Sequence, residues 1–103
     1  MEYVNLNKCR SFNLQINYGE LNALTDQVCS ETIIVNRTGE DIEIYDGGYT
    51  SNDNSFLLAN LESATFRGVT NSNQISAVPV AGGEGPAGYI YYRTQYFSNS
   101  PSR

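Results

Sequence analysis

The sequence predicts an all-β fold, an antiparallel β-sandwich or small barrel of about six to eight short strands. Three observations carry that prediction. Residues Ser11 to Tyr18 alternate apolar and polar without a break, which is the period of a half-buried strand. Glu31 to Asp46 reads E-T-I-I-V-N-R-T-G-E-D-I-E-I-Y-D, two strand-like runs around a Thr-Gly pair. Elsewhere Gly, Pro, Asn and Ser clusters break the chain into short segments, none long enough for an independent helix.

Taken in order, residues 1–10 form a polar arm or short strand, 11–97 a single sandwich domain and 98–103 a polar tail. In the first strand Phe12, Leu14, Ile16 and Tyr18 share one face, and Asn13, Gln15 and Asn17 the other. Gly19 ends it. Leu21, Leu24 and Val28 recur at helical spacing, but Glu20 to Val28 is too short to hold a helix and reads as a loop with apolar anchors. Thr32-Ile33-Ile34-Val35 is β-branched throughout, with apolar residues facing both ways. Thr38-Gly39 predicts a hairpin turn, because Gly takes positive φ without steric cost. Ile42 and Ile44 then point one way, and Asp41, Glu43 and Tyr45 the other.

Beyond a polar loop over 49–54, short strands are expected over Ser55–Ala59 and Ala64–Val69, with turns at 60–63 and 70–73. Gln74 to Val80 is a strand at an edge or one that ends early, since Pro79 lacks the ladder donor. Gly88 to Phe97 is a long strand, with Tyr89, Tyr91, Arg93 and Phe97 on one face and Ile90, Tyr92, Thr94 and Tyr96 on the other. The expected core is Phe12, Leu14, Ile16, Ile33, Val35, Ile42, Ile44, Leu57, Phe66, Val69, Ile75 and Ile90.

Composition narrows the function. The chain has 103 residues, a net charge of −5 and one lysine, Lys8. Arg10, Arg37, Arg67, Arg93 and Arg103 are scattered along it, which argues against a nucleic-acid partner. No apolar run is long enough to span a membrane and no basic amphipathic helix is present. The first residues show no secretory signal pattern, so an intracellularly made, soluble protein is expected, with Cys9 and Cys29 as reduced thiols. On that expectation the sequon Asn36-Arg37-Thr38 is fortuitous.

The chain contains no histidine, which removes the usual Ser-His, Cys-His and His-metal arrangements. Carboxylates remain. Asp41, Glu43 and Asp46 could pair as a glycosidase acid and base, although a solvated acidic strand face is the plainer reading. Asp46-Gly47-Gly48 and Asn52-Asp53-Asn54 offer oxygen ligands for a hard cation, but at no EF-hand spacing, and they suit ordinary turns. Gly83-Glu84-Gly85-Pro86-Ala87-Gly88 fits G-x-G-x-x-G formally. It precedes a strand rather than a helix, and Glu84 would repel phosphates, so a mobile hairpin loop is expected. No enzyme activity, cofactor or metal is therefore expected. The tyrosines Tyr89, Tyr91, Tyr92 and Tyr96 point instead to a contact surface, because Tyr offers large area at low entropic cost. With both faces of the strand aromatic, one set would pack the core and the other meet a partner. A plain central strand of a sandwich is the alternative reading.

Ile34-Val35-Asn36-Arg37-Thr38-Gly39 with Ile42-Glu43-Ile44-Tyr45-Asp46-Gly47, and Phe66 through Ala77, together resemble small β-rich structural proteins of tailed bacteriophages. The resemblance covers less than half of the chain. It implies a virion protein, made in the host cytoplasm, that decorates or cements the capsid at seams between major capsid subunits. Its partners would be the major capsid protein and further copies of itself. The contacts expected on that reading are Tyr3, Val4 and Leu6 in the amino-terminal segment, Gly83, Glu84 and Gly85 in the loop, and Tyr89, Tyr91, Tyr92 and Tyr96. The alternative is a tail-associated or free carbohydrate-binding module using the tyrosine face.

Overall fold

Ten strands form in chain order in a computed structural model that describes residues 3–4, 8–46 and 55–98. They are β1 (Tyr3–Val4), β2 (Arg10–Asn17), β3 (Asn22–Ala23), β4 (Glu31–Arg37) and β5 (Ile42–Asp46). After these come β6 (Ser55–Leu58), β7 (Ser63–Arg67), β8 (Ile75–Pro79), β9 (Pro86–Gln95) and β10 (Phe97–Ser98). Two antiparallel four-stranded sheets result, a first sheet of order β2-β9-β4-β7 and a second of order β3-β8-β5-β6. The two-residue strands β1 and β10 pair with each other, Val4 opposite Phe97. The fold is all-β, as the strand periodicities predict.

The core lies between the sheets. Ile16, Ile34, Phe66, Ile90 and Tyr92 enter from the first sheet, and Ile42, Ile44, Leu58, Ile75 and Ala77 from the second, all at most 9% exposed. Leu24 is the one anchor of the 20–28 segment, since Leu21 and Val28 are exposed. Three expected core residues lie elsewhere. Ile33 and Val35 are only half-buried and Leu57 is exposed, while their neighbours Ile34 and Leu58 fill the core. Both runs place apolar residues at adjacent positions, so alternation alone does not choose the inner face.

The expected Glu31–Asp46 hairpin does not form. β4 pairs with β9 and β7, whereas β5 pairs with β6 and β8. Residues 38–41 therefore carry the chain from one sheet to the other, with Gly39 at φ 95°. Asn36 makes this crossing possible. It is fully buried, and its Nδ2 donates to the Glu40 carbonyl oxygen at 2.8 Å and to that of Leu58 at 2.9 Å. Its Oδ1 accepts the Thr38 N–H at 3.0 Å. A crossover inside the sandwich would otherwise leave backbone polar groups unsatisfied. The sequon asparagine is thus a structural clip.

Residues 59–62 and 80–85 also pass between sheets. The mobile hairpin loop expected over Gly83 to Gly88 falls partly in the second of these and partly in β9, which begins at Pro86. Residues 80–85 are exposed, yet Tyr18 donates its N–H to the Gly85 carbonyl oxygen at 3.0 Å, and Gly83 packs against the Tyr18 ring. β8 ends at Pro79 but is an interior strand. Its neighbour β3 pairs only with Ala77 and Ser76, so the missing donor of Pro79 faces no ladder. The turn expected over 70–73 is a 3-10 turn over Ser72–Gln74 with reciprocal capping by Asn71 and Gln74, so the strand expected from Gln74 begins at Ile75. Asn71 also accepts the Gln27 N–H at 3.0 Å, pinning the loop that follows β3.

Candidate functional surface

The strand register gathers side chains that are far apart in sequence. Along β4 the inner positions are Thr32, Ile34 and Asn36, so Glu31, Ile33, Val35 and Arg37 face outward. β9 sets Tyr89 beside Arg37, Tyr91 beside Val35, Arg93 beside Ile33 and Gln95 beside Glu31. β2 adds Asn13 and Ser11 on the far side of Tyr91 and Arg93. β7 adds Thr65 and Arg67. The outer face of the first sheet is therefore an apolar and aromatic centre with arginines around it. Tyr89 is 48% exposed and Tyr91 40%.

Local contacts hold this face in place. The Arg37 guanidinium lies over the Tyr91 ring, 5.2 Å from its centroid, and that of Arg67 over Phe97 at 5.0 Å. Such stacking favours a cation above the negative ring face. Glu31 is almost buried. Arg67 Nε is 3.1 Å from its Oε2, and Gln95 Nε2 donates to its Oε1 at 2.6 Å. Among the described residues Glu31 is the one carboxylate on this face, and it is committed to these two partners. A hollow of about 290 Å³ opens between Ser11, Asn13, Ile33, Val35, Tyr91 and Arg93.

Of the five arginines expected to be scattered, three come onto one face, while Arg10 has the inward parity of β2 and Arg103 lies outside the described residues. Arg37, Arg67 and Arg93 all project from this one face. Each occupies an outward position of its strand, which is the signal linear reading missed: the parity of each strand assigns its arginine once the registers are known.

The expected contact residues do not form one cluster. Tyr89 and Tyr91 lie on the outer face. Tyr92 points inward and is 3% exposed, its ring stacked on Phe12 at 5.0 Å and its hydroxyl accepting the Thr25 N–H at 2.7 Å. The alternation of β9 sends adjacent tyrosines to opposite faces. Tyr96 is half-buried at the end of β9 under the Lys8 ammonium, 4.5 Å from the ring centroid. Gly83, Glu84 and Gly85 are exposed at the opposite end of β9. Tyr3 and Val4 form β1, and Leu6 lies outside the described residues.

The candidate acid–base carboxylates Asp41 and Glu43 lie away from the outer face of the first sheet. Asp41 is exposed, and Glu43 accepts a hydrogen bond from the Tyr45 hydroxyl at 2.9 Å on the outer face of the second sheet. That contact raises the Tyr45 pKa above its ordinary 10.0, because ionising the phenol would lose the hydrogen bond and set two anions together. Tyr18 is raised in the same way by donating to Glu40 at 2.8 Å. Among the described residues no three metal-ligating side chains come together, and no helix is long and apolar enough to cross a membrane. The 47–54 segment, with its candidate cation ligands, lies outside the described residues. Cys29 is buried and Cys9 half-buried, and no disulfide joins them. No protein-family model matches the chain, and no curated protein or solved structure matches it either.

Proposed function

We propose that the protein is a virion structural protein that decorates or cements a capsid, docking at seams between major capsid subunits. The observation that carries this reading is the outer face of the first sheet. Tyr89 and Tyr91 are exposed there beside Ile33 and Val35, with arginines around them. Exposed aromatics with arginine are enriched in protein interfaces, and a sheet holds them rigidly, which limits the entropy lost on binding. Many weak copies on a repeating lattice would add by avidity. Preferential binding to the assembled shell would stabilise it by mass action.

The test is binding of purified protein to particles, visualised by cryo-electron microscopy. Regular density across the head lattice is expected, and Tyr91→Ala should lower its occupancy. Density confined to the tail, or no density, would overturn the capsid assignment.

The hollow beside Tyr91 favours one second reading, a carbohydrate-binding module. Ser11 and Asn13 flank an exposed ring there, a suitable pairing for a sugar. Saturable binding on a glycan array, lost in Tyr91→Ala, would favour it over the capsid role.

A further inference from the structure

We infer that the cationic aromatic face of the first sheet docks on the acidic outer face of the second sheet of another copy, so that copies stack head to tail. This rests on the proposed role in which the protein works in repeated copies, and it names the partner of the face described above.

Charge is segregated between the two sheets. On the outer face of the first sheet stand Arg37, Arg67 and Arg93 against one acid, Glu31. On that of the second Glu43 points outward, and its described strands carry no cation. Asp41 stands exposed just before β5, where its carbonyl oxygen accepts the Val80 N–H at 3.3 Å.

The second face is also apolar where a partner would press on it. Ile42 and Ile44 point inward, so Glu43 points outward, with Val78 on one side and Leu57 on the other. Leu57 is 57% exposed and Val80 52%. Each outer face thus sets exposed apolar residues beside charge, and the two signs are opposite. Such complementarity fixes orientation and excludes like-to-like pairing of the faces.

The geometry follows from the sandwich. Its two outer faces point in opposite directions, so a contact between unlike faces does not close on itself as a twofold dimer does. It is heterologous and propagates into a ring or an open stack. A nucleic acid fits the cationic face less well. The chain is net negative, Arg67 is engaged with Glu31, and phosphate capture relies on many clustered cations.

Sedimentation velocity over a range of concentrations tests this. The wild-type mass should rise past that of a dimer. Arg37→Glu with Arg93→Glu should weaken association roughly tenfold or more, as should Asp41→Lys with Glu43→Lys. Circular dichroism confirms that each double variant is folded. An equimolar mixture of the two should associate again, because each supplies the charge the other needs. Four results would overturn the inference: a wild type monomeric up to about 1 mM, assembly that stops at a dimer, variants that associate like wild type, or no rescue on mixing. A monomeric wild type that binds a single-stranded oligonucleotide would assign the face to nucleic acid instead. A monomer that still decorates particles would defeat the stacking and leave the capsid role standing. Stacking without particle binding would do the reverse.

Discussion

Asn36 in the first sheet donates from Nδ2 to the carbonyl oxygen of Leu58 in the second, at 2.9 Å and with no solvent exposure. One residue thereby ties together two crossings of the chain: its side chain also donates to the Glu40 carbonyl oxygen at 2.8 Å, and its backbone carbonyl accepts the Leu61 N–H at 2.7 Å. Asn36→Ala should destabilise the fold by about 2–4 kcal/mol, since it leaves buried carbonyls without donors. Chemical denaturation measures this. A change below about 0.5 kcal/mol would mean that the clip is dispensable. The same burial predicts an unglycosylated chain even in a secretory host, checked by intact mass.

Gly88 sits at φ 142°, and a Cβ there would lie 2.9 Å from both Cα and the carbonyl oxygen of Thr38. Gly88→Ala should therefore cost about 2 kcal/mol or more, through backbone strain and displacement of the 38–41 crossing. Gly82 has open space and no unusual φ. Gly82→Ala should be neutral or stabilising, by up to about 1 kcal/mol. Equal effects at the two sites would contradict this account.

Adjacent tyrosines on β9 should separate stability from binding. Tyr92→Ala removes a buried ring and should cost about 3–5 kcal/mol. Tyr91→Ala loses an exposed ring and the stacked Arg37, at less than about 1 kcal/mol. Thermal melts compare the two, and only Tyr91→Ala is a clean probe of surface contacts.

Tyr18 and Tyr45 both have raised pKa values because each donates to a glutamate. The folded state then holds these protons more tightly than the unfolded chain does. Their contribution is fully present below the ordinary tyrosine pKa of 10.0, and it is lost as pH rises through the higher folded values. Stability should fall on the alkaline side, and less steeply in Tyr18→Phe with Tyr45→Phe. Both contacts are near solvent, so the effect is small. An unchanged slope in the double variant would assign the loss to other groups.

Alternation made β2 readable, because polar and apolar residues strictly interleave there, whereas β9 was readable as a strand but carries tyrosines on both faces. Alternation could not orient β4, where Ile33, Ile34 and Val35 are all apolar and the buried partners on the inner face are polar, Thr32 and Asn36. Nor could it give connectivity. Thr38-Gly39 is sound turn chemistry, but a turn beside one sheet and a crossing between two use the same residues. What separates them is the company each strand keeps, and that is set by pairing across the whole chain. The arginine face was hidden for the same reason: residues 37, 67 and 93 come to share one face only through three strands and their registers.

The position of β9 in the sequence has a consequence for synthesis. This strand lies between β2 and β4 in the first sheet, yet it spans Pro86–Gln95, after every other strand of the two four-stranded sheets. Among the described residues β2 has no other sheet partner. A growing polypeptide that has exposed residues 10–17 must therefore hold them unpaired until residues 86–95 have been made. Native structure forms late and cooperatively, dominated by distant pairings, in the manner of slow-folding β topologies. Ribosome-stalled chains ending before Pro86 should be digested rapidly by protease, and resistance should appear only once Gln95 has cleared the exit tunnel.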